Sequence, residues 1–539
     1  QQSYNHPDLV YGIRGAIAAT QVVGVVPGRF LQVFADGHDA RPVHGVRLVP
    51  VHCVAVGPDA LQIFHRFAKI EDSIFARLEF PFMNKLLYPA LALLMLASCA
   101  RHKNDDAAVV KQIFSEALSD TTAYSHLKTL CTDYKGRICG TAEADSAVLW
   151  AESVLRSMGL DTVYLQPLMV KQWERGEKEQ GRVISQQAGE HDIAVCALGW
   201  AMGTGPEGIT AEVVEVTSKE QLVQLGEKGI RGKIVFYDQP MDPTHFYTFE
   251  AYSETVWQRA RGASMAARYG AVAVINRSMS ETHDNYPHTG IMHYADTLPK
   301  VPAFAVSTLG ADSLSLWLKK DPSLKLFLRS TSQEFAEVPS YNVIGEIRGS
   351  EKPDEFIAFG GHLDAWDITQ GAHDDGAGVA QTIDVLRIFK KLGIQPKHTL
   401  RVVVFMDEEV AQRGAAAYAA WVKEKHEKHL AAIESDRGGF TPYGFSIDAS
   451  LQQVARVRNW RPLLEPYGIW SFEKGGSGVD VRDLKPMDIP LFGLVSDSQR
   501  YFDYQHAASD TWDKVHPREM QLGTGAIAAL VYLIDNYGL

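Results

Sequence analysis

At 539 residues the chain is too long for one ordinary core, so two or three domains are expected. Its 46% apolar and 22% charged residues are those of a soluble globular protein, and a formal net charge of -12 excludes a general nucleic-acid binder while suiting a protein that holds cations. Five cysteines, at 53, 99, 131, 139 and 196, exclude a disulfide scaffold and a cysteine-based zinc cluster, so a bound metal would rest on His, Asp and Glu.

Residues 1–82 are rich in Val, His and Pro, carry no clear period and no motif, and are expected to be an upstream extension without assigned function. After Lys85 comes an apolar stretch from Leu86 to Ala97. This is too short for a membrane-spanning helix, which needs about 20 residues, but it suits the core of a signal peptide. It ends in Leu96-Ala97-Ser98-Cys99, which resembles a bacterial lipobox. Residues 83–98 are therefore expected to be a lipoprotein-type signal peptide, with Cys99 carrying a lipid anchor and the protein exported to the periplasm or outer membrane of a bacterium. The competing reading is a buried helix of a longer domain. Because a secretory signal works at the start of a chain, translation is expected to begin at Met83.

From about Asp105 the patterns become regular. "AAVVKQIFSEAL" and "ADSAVLWAESVLRSMGL" have helical spacing, the second stopped by Gly159, and "DTVYLQPLMVKQWERG" reads as a strand. Between the helices, Cys131 and Cys139 could pair in an oxidising compartment or stay reduced. Residues 194–312 change texture: short β-rich runs such as "GKIVFYD" and "AVAVINR", separated by Gly, Pro and Asn, with one helical pattern, predict a β-rich insert. Afterwards strands and helices alternate, from "EFIAFGG" through "TLRVVVFM", "LAAIES" and "IPLFGLVS" to the terminal helix "LGTGAIAALVYLIDNYG". Apolar strands of this kind predict an α/β fold, a three-layer, mostly parallel sheet with helices on both faces, built from residues 99–193 and 313–539.

In such sheets ligands bind beyond the carboxyl ends of the strands. The polar residues there are His362, Asp364, Asp374 and Asp375 after the first strand, Asp407, Glu408 and Glu409 after "RVVVFM", Asp436 after "LAAIES", and His506 in "YFDYQHAASDT". Singly, each is an ordinary loop or turn residue. Together, four loops converge with nitrogen and oxygen donors suited to zinc, and a bridging carboxylate would let two ions lie about 3.5–4 Å apart.

"GGHLDAWD", "HDDGAG", "FMDEE" followed by "RGAAAY", "ESD" and "HAASDT" resemble, in order, the motifs of the co-catalytic dizinc aminopeptidases of metallopeptidase family 28. The resemblance covers about residues 105 to 539. "GPEGITAEV" and "YPHTG" resemble one branch of that family, whose members act as dipeptidases. The resemblance implies a zinc exopeptidase fold, two Zn²⁺ per chain, and a protease-associated domain at 194–312 that covers the catalytic face and favours short peptides. It implies Asp374 as the bridging ligand, His362 and Asp436 on one ion, and Glu409 and His506 on the other. Asp364 matches the aspartate that orients the first histidine, and Glu408 the general base. His373 is expected to be a neighbour of the site, and Asp367 and Asp375 loop or turn residues.

Some relatives place a tyrosine just before the last ligand histidine to stabilise the oxyanion. Here Gln505 stands there and Tyr504 one position earlier, so the oxyanion partner is open. Asp480, in "EKGGSGVDVRDL", either grips a substrate amino terminus or belongs to a structural glycine turn. The expected activity is hydrolysis of dipeptides or of terminal residues of short peptides, with a homodimer left open. Two other readings share the scaffold: a glutaminyl cyclase, which needs one zinc, and a receptor-like binding protein, which would lack ligands or base.

Overall fold

In the computed structural model, which describes residues 106–539, the site is organised around strand Lys352–His362. The expected signal segment, Cys53 and Cys99 lie outside the described residues. Lys352–His362 runs parallel to His398–Phe405 on one side and to Lys428–Glu434 on the other, and Leu491–Ser496 continues the parallel run. All of His398–Phe405 is buried. Its side chains divide by parity: Leu400, Val402 and Val404 join the core beneath helices Ala377–Leu392 and Pro517–Tyr537, whereas Val403 and Phe405 pack with Tyr418 and Val422 of helix Arg413–Lys425. That alternation is what a strand covered on both faces requires.

Antiparallel pairing flanks the parallel centre. Gln333–Ile347 and then Thr162–Glu174 extend one edge. At the other, Pro442–Asp448 pairs antiparallel with Leu491–Ser496, and Ser471–Lys474 lies outermost. The sheet is therefore mixed: the four strands that carry the site form one parallel run, and Ser471–Lys474 pairs parallel with Pro442–Asp448 at the far edge.

The chain leaves Lys352–His362 for one neighbour and later returns to the other, so the strand order reverses beside His362. In an α/β sheet that switch point opens a crevice at the strands' carboxyl ends.

A second eight-stranded sheet runs in the order Gly189–Asp192, Gln180–Ser185, Lys325–Arg329, Ile209–Val216, Ile234–Tyr237, Ala273–Arg277, Ala303–Val306, Val195–Ala197. Its strands span Gln180 to Arg329, wider than the expected 194–312. Helices Lys219–Ile230 and Thr308–Lys320 accompany the expected helical stretch, which is broken into Thr248–Thr255, Trp257–Ala260 and Gly262–Ala267. The lobe meets the loop after Lys352–His362 closely: a Cβ on Gly199 would fall 1.9 Å from the Trp366 ring. Arg175 ties the same loop down through Asp367, at 2.6 Å, and also pairs with Glu179, at 2.8 Å.

Cys131 and Cys139 are unbridged and buried; Cys139 Sγ donates to Asp407 Oδ1 at 3.1 Å. No helix among the described residues is long and apolar enough to cross a membrane.

Candidate metal centre

His362, the last residue of its strand, is fully buried. Its Nδ1 lies 2.9 Å from the backbone carbonyl of Asp364, an acceptor only, so Nδ1 carries a proton and the neutral ring would offer Nε2 to a metal. Nε2 faces Asp374 Oδ1 at 3.1 Å, Asp436 Oδ1 at 3.5 Å and Glu408 Oε2 at 3.9 Å. Burial works against a charge on this ring, but the Asp374 and Asp436 carboxylates outweigh it and hold the pKa well above its ordinary value.

Asp374 reaches in the other direction as well. Its Oδ2 lies 3.2 Å from Nε2 of His506, and Glu409 Oε2 lies 3.0 Å from the same nitrogen. Burial opposes the charge of Asp374, yet the two histidines pull its pKa below the usual carboxylate range. The pKa of His506 rises to about 9, against the effect of burial, through Glu409 and Asp374. Burial pushes Glu408, Glu409 and Asp436 upward.

Glu409 Oε1 is buried without a hydrogen-bond partner, and Asp374 Oδ2 and Asp436 Oδ1 face only the ring nitrogens of His506 and His362. Buried carboxylates in this state are costly unless a cation compensates them. The donor set fits a divalent metal such as zinc, with imidazole nitrogens and carboxylate oxygens in two groups: His362 with Asp375 and Asp436, and Asp374 with Glu409 and His506. Within the first group Asp375 is already committed, since Oδ2 accepts the amide of His362 and Oδ1 that of Gly378, both at 3.1 Å. The oxygen facing His362 Nε2 is instead that of Asp374, which therefore touches both groups.

Asp364 acts differently from expectation. It holds His362 through its main chain, while its nearest carboxylate oxygen is 3.9 Å from Nδ1. That carboxylate accepts the amides of Asp407, Glu408 and Glu409 at 2.9, 3.2 and 3.3 Å. It thereby fixes the turn that presents Glu408 and Glu409, a turn in which Asp407 adopts φ +73°. Trp366 Nε1 donates to Glu409 Oε2 at 2.6 Å. Asp510, in the last motif, secures the loop that carries Asp374 by accepting the amides of His373 at 2.8 Å and Asp374 at 3.2 Å, and burial raises its pKa to about 7.

Asp480 is buried with neither oxygen partnered, and burial, Glu434 and Glu408 push its pKa well up. His373 lies outside both donor groups: its ring stacks on Phe440 at 4.0 Å and Tyr504 at 5.3 Å, and Nδ1 accepts the amide of Gly439. Tyr504 is thus occupied in packing. Sequence reasoning missed two residues here. Tyr501 is buried and close enough to Asp374, Asp436 and Glu409 that, after burial, their charges raise its phenol pKa further. Arg259, from the second lobe, lies 3.2 Å from His506 Nδ1, a contact across 247 positions that no local pattern signals.

The profile of Peptidase family M28 matches residues 342–531, the span holding every residue of both donor groups. Human carboxypeptidase Q is 32% identical over 441 residues, 82% of this chain and 90% of its own. The chain belongs to peptidase family M28. A crystal structure of a peptidase M28 precursor from Shewanella amazonensis is similar to this M28 peptidase with a TM-score of 0.77 and 32% identity, covering 81% of this chain and 98% of that one. A zinc aminopeptidase from Bacillus subtilis shares the fold of this M28 peptidase, with a TM-score of 0.55 and 19% identity over 76% of this chain and 94% of that one.

Proposed function

We propose that this M28 peptidase is a zinc-dependent exopeptidase that removes terminal residues from short peptides or splits dipeptides. The observation that carries the reading is Asp374, one carboxylate facing both His362 and His506. His362 and Asp436 would hold one Zn²⁺, Glu409 and His506 a second, and Asp374 both. When bound, such a pair acidifies water near neutral pH and polarises a peptide carbonyl.

The remaining chemistry belongs to the chain. Glu408, next to the ligand Glu409 but turned toward the first donor group, takes the proton of the attacking water at its carboxylate and returns it to the leaving amine. We propose Tyr501, buried close to the carboxylates of the centre, for the oxyanion role left open by Gln505. The unpartnered carboxyl of Asp480 suits a substrate ammonium group, whose charge would draw it back to the ionised form.

We further propose export and lipid anchoring at Cys99, supported by the apolar segment 86–97 and its lipobox-like end. Mass spectrometry of the membrane fraction tests this: a peptide from residues 1–82 in cell extracts would contradict it. The activity is tested on a dipeptide panel with amino- or carboxyl-blocked controls. Chelator-sensitive release of amino acids supports the reading, and hydrolysis indifferent to chelator contradicts it.

A further inference from the structure

Four arginines are buried among the described residues: Arg137, Arg175, Arg259 and Arg401. A guanidinium stays charged in proteins, so each burial demands acceptors. Arg137 donates to the carbonyls of Leu363, Gln370 and Gly371. Arg175 pairs with Asp367 and Glu179, and Arg401 with Glu346 and Glu427. Arg259 is the exception. It makes no ion pair, Nε has no partner, and Nη2 donates to a neutral phenol, Tyr252 Oη, at 2.5 Å.

Its remaining neighbour is His506 Nδ1, 3.2 Å from Nη1. That nitrogen also lies 3.3 Å from the Thr289 carbonyl, which only accepts. Once Nε2 serves as a metal ligand beside Asp374 and Glu409, the ring's proton belongs on Nδ1 and goes to Thr289. The guanidinium therefore faces an N–H rather than a lone pair. The "YPHTG" segment makes room for it: a Cβ on Gly290 would lie 2.5 Å from Nη1 and 2.7 Å from His506 Nδ1. His288 of the same segment is buried as well. A second-lobe cation is thus delivered, uncompensated, to the edge of the second donor group.

We infer that Arg259 receives the free α-carboxylate of the substrate. A guanidinium presents paired N–H donors that match a carboxylate, and a fixed cation beside the metal centre admits only peptides whose carboxyl terminus lies close to the scissile bond. The inference rests on the exopeptidase reading and narrows it to dipeptides and carboxyl-terminal residues, assigning part of the specificity to the second lobe.

The test compares, for the zinc-loaded full chain, a dipeptide with the same dipeptide as its carboxyl-terminal amide. The wild type should favour the free acid in kcat/KM by about tenfold to a hundredfold, mostly through KM. Arg259→Gln, at unchanged zinc content, should bring the two substrates close together, and Arg259→Lys should restore part of the preference. Equal hydrolysis of acid and amide by the wild type would overturn the inference, leaving the exopeptidase reading intact, and needs no variant to fold. So would an Arg259→Gln protein that loses the same factor on both, the behaviour of a residue that only braces His506. Hydrolysis of neither substrate would bring down the exopeptidase reading and this inference with it.

Discussion

The amide of Glu408 donates to Oδ1 of Asp364 at 3.2 Å, on a carboxylate that also accepts the amides of Asp407 and Glu409. One side chain at the end of a central strand therefore sets the backbone of both the proposed base and a proposed ligand. Asp364→Ala would strand three amides and should cost about 2–4 kcal/mol of stability. Misplacing the turn should also lower metal affinity or activity by about tenfold to a hundredfold. Chemical denaturation and metal titration check this, and an Asp364→Ala protein with wild-type stability and zinc affinity would remove Asp364 from the role.

Glu408→Gln keeps the side chain's size and its amide bond to Asp364 while removing the proton acceptor. Metal content should stay at the wild-type value while kcat falls by about a hundredfold to ten-thousandfold. Steady-state kinetics with parallel metal analysis decides. Near wild-type turnover would take Glu408 out of the mechanism.

The two carboxylates of the bridging loop should separate cleanly by metal analysis. Asp374→Ala should lose both ions, because Asp374 faces both histidines, whereas Asp436→Ala should lose one. Asp375 spends its oxygens on the amides of His362 and Gly378, so Asp375→Asn should weaken folding more than it changes the number of ions bound at saturation. Loss of both ions in Asp375→Asn but not in Asp374→Ala would reverse the assignment.

Away from the site, His429 is buried and accepts the Tyr418 hydroxyl at Nε2, at 2.8 Å. Burial, with Arg401 nearby, lowers its pKa to about 3. The unfolded chain binds this proton near pH 6.5, so the native state gains stability above that pH and loses it as pH falls toward 3. The slope contributed by this one group is at most about 1.4 kcal/mol per pH unit. His429→Gln retains an acceptor but cannot titrate, so urea unfolding of metal-free protein between pH 7 and 4 should show a shallower decline. An unchanged slope would contradict the account.

The central strands were legible because burial on both faces leaves unbroken apolar runs, as in His398–Phe405. Pro442–Asp448 and Ser471–Lys474 were not: the first mixes buried with half-buried residues instead of forming an unbroken apolar run, and the second is a four-residue edge strand with two exposed positions. Helix Lys219–Ile230 was hidden by Gly226 and Gly229, residues that weaken a helical pattern; Gly226 indeed leaves helical geometry at φ +53°. In the site, His362, Asp374, Glu409, Asp436 and His506 could be picked out by position after strands and by motif resemblance. Arg259 could not, because its place beside His506 comes from packing one lobe against another. The actual work of the Asp364 carboxylate was equally hidden, since backbone amides leave no trace in residue identity.

Zinc titration of the metal-stripped protein, followed by dipeptide hydrolysis, tests the central claim most directly. Activity should be absent without metal and reach its plateau at two zinc ions per chain. Full activity at one ion per chain, or activity that survives complete metal removal, would contradict a centre in which Asp374 serves two ions.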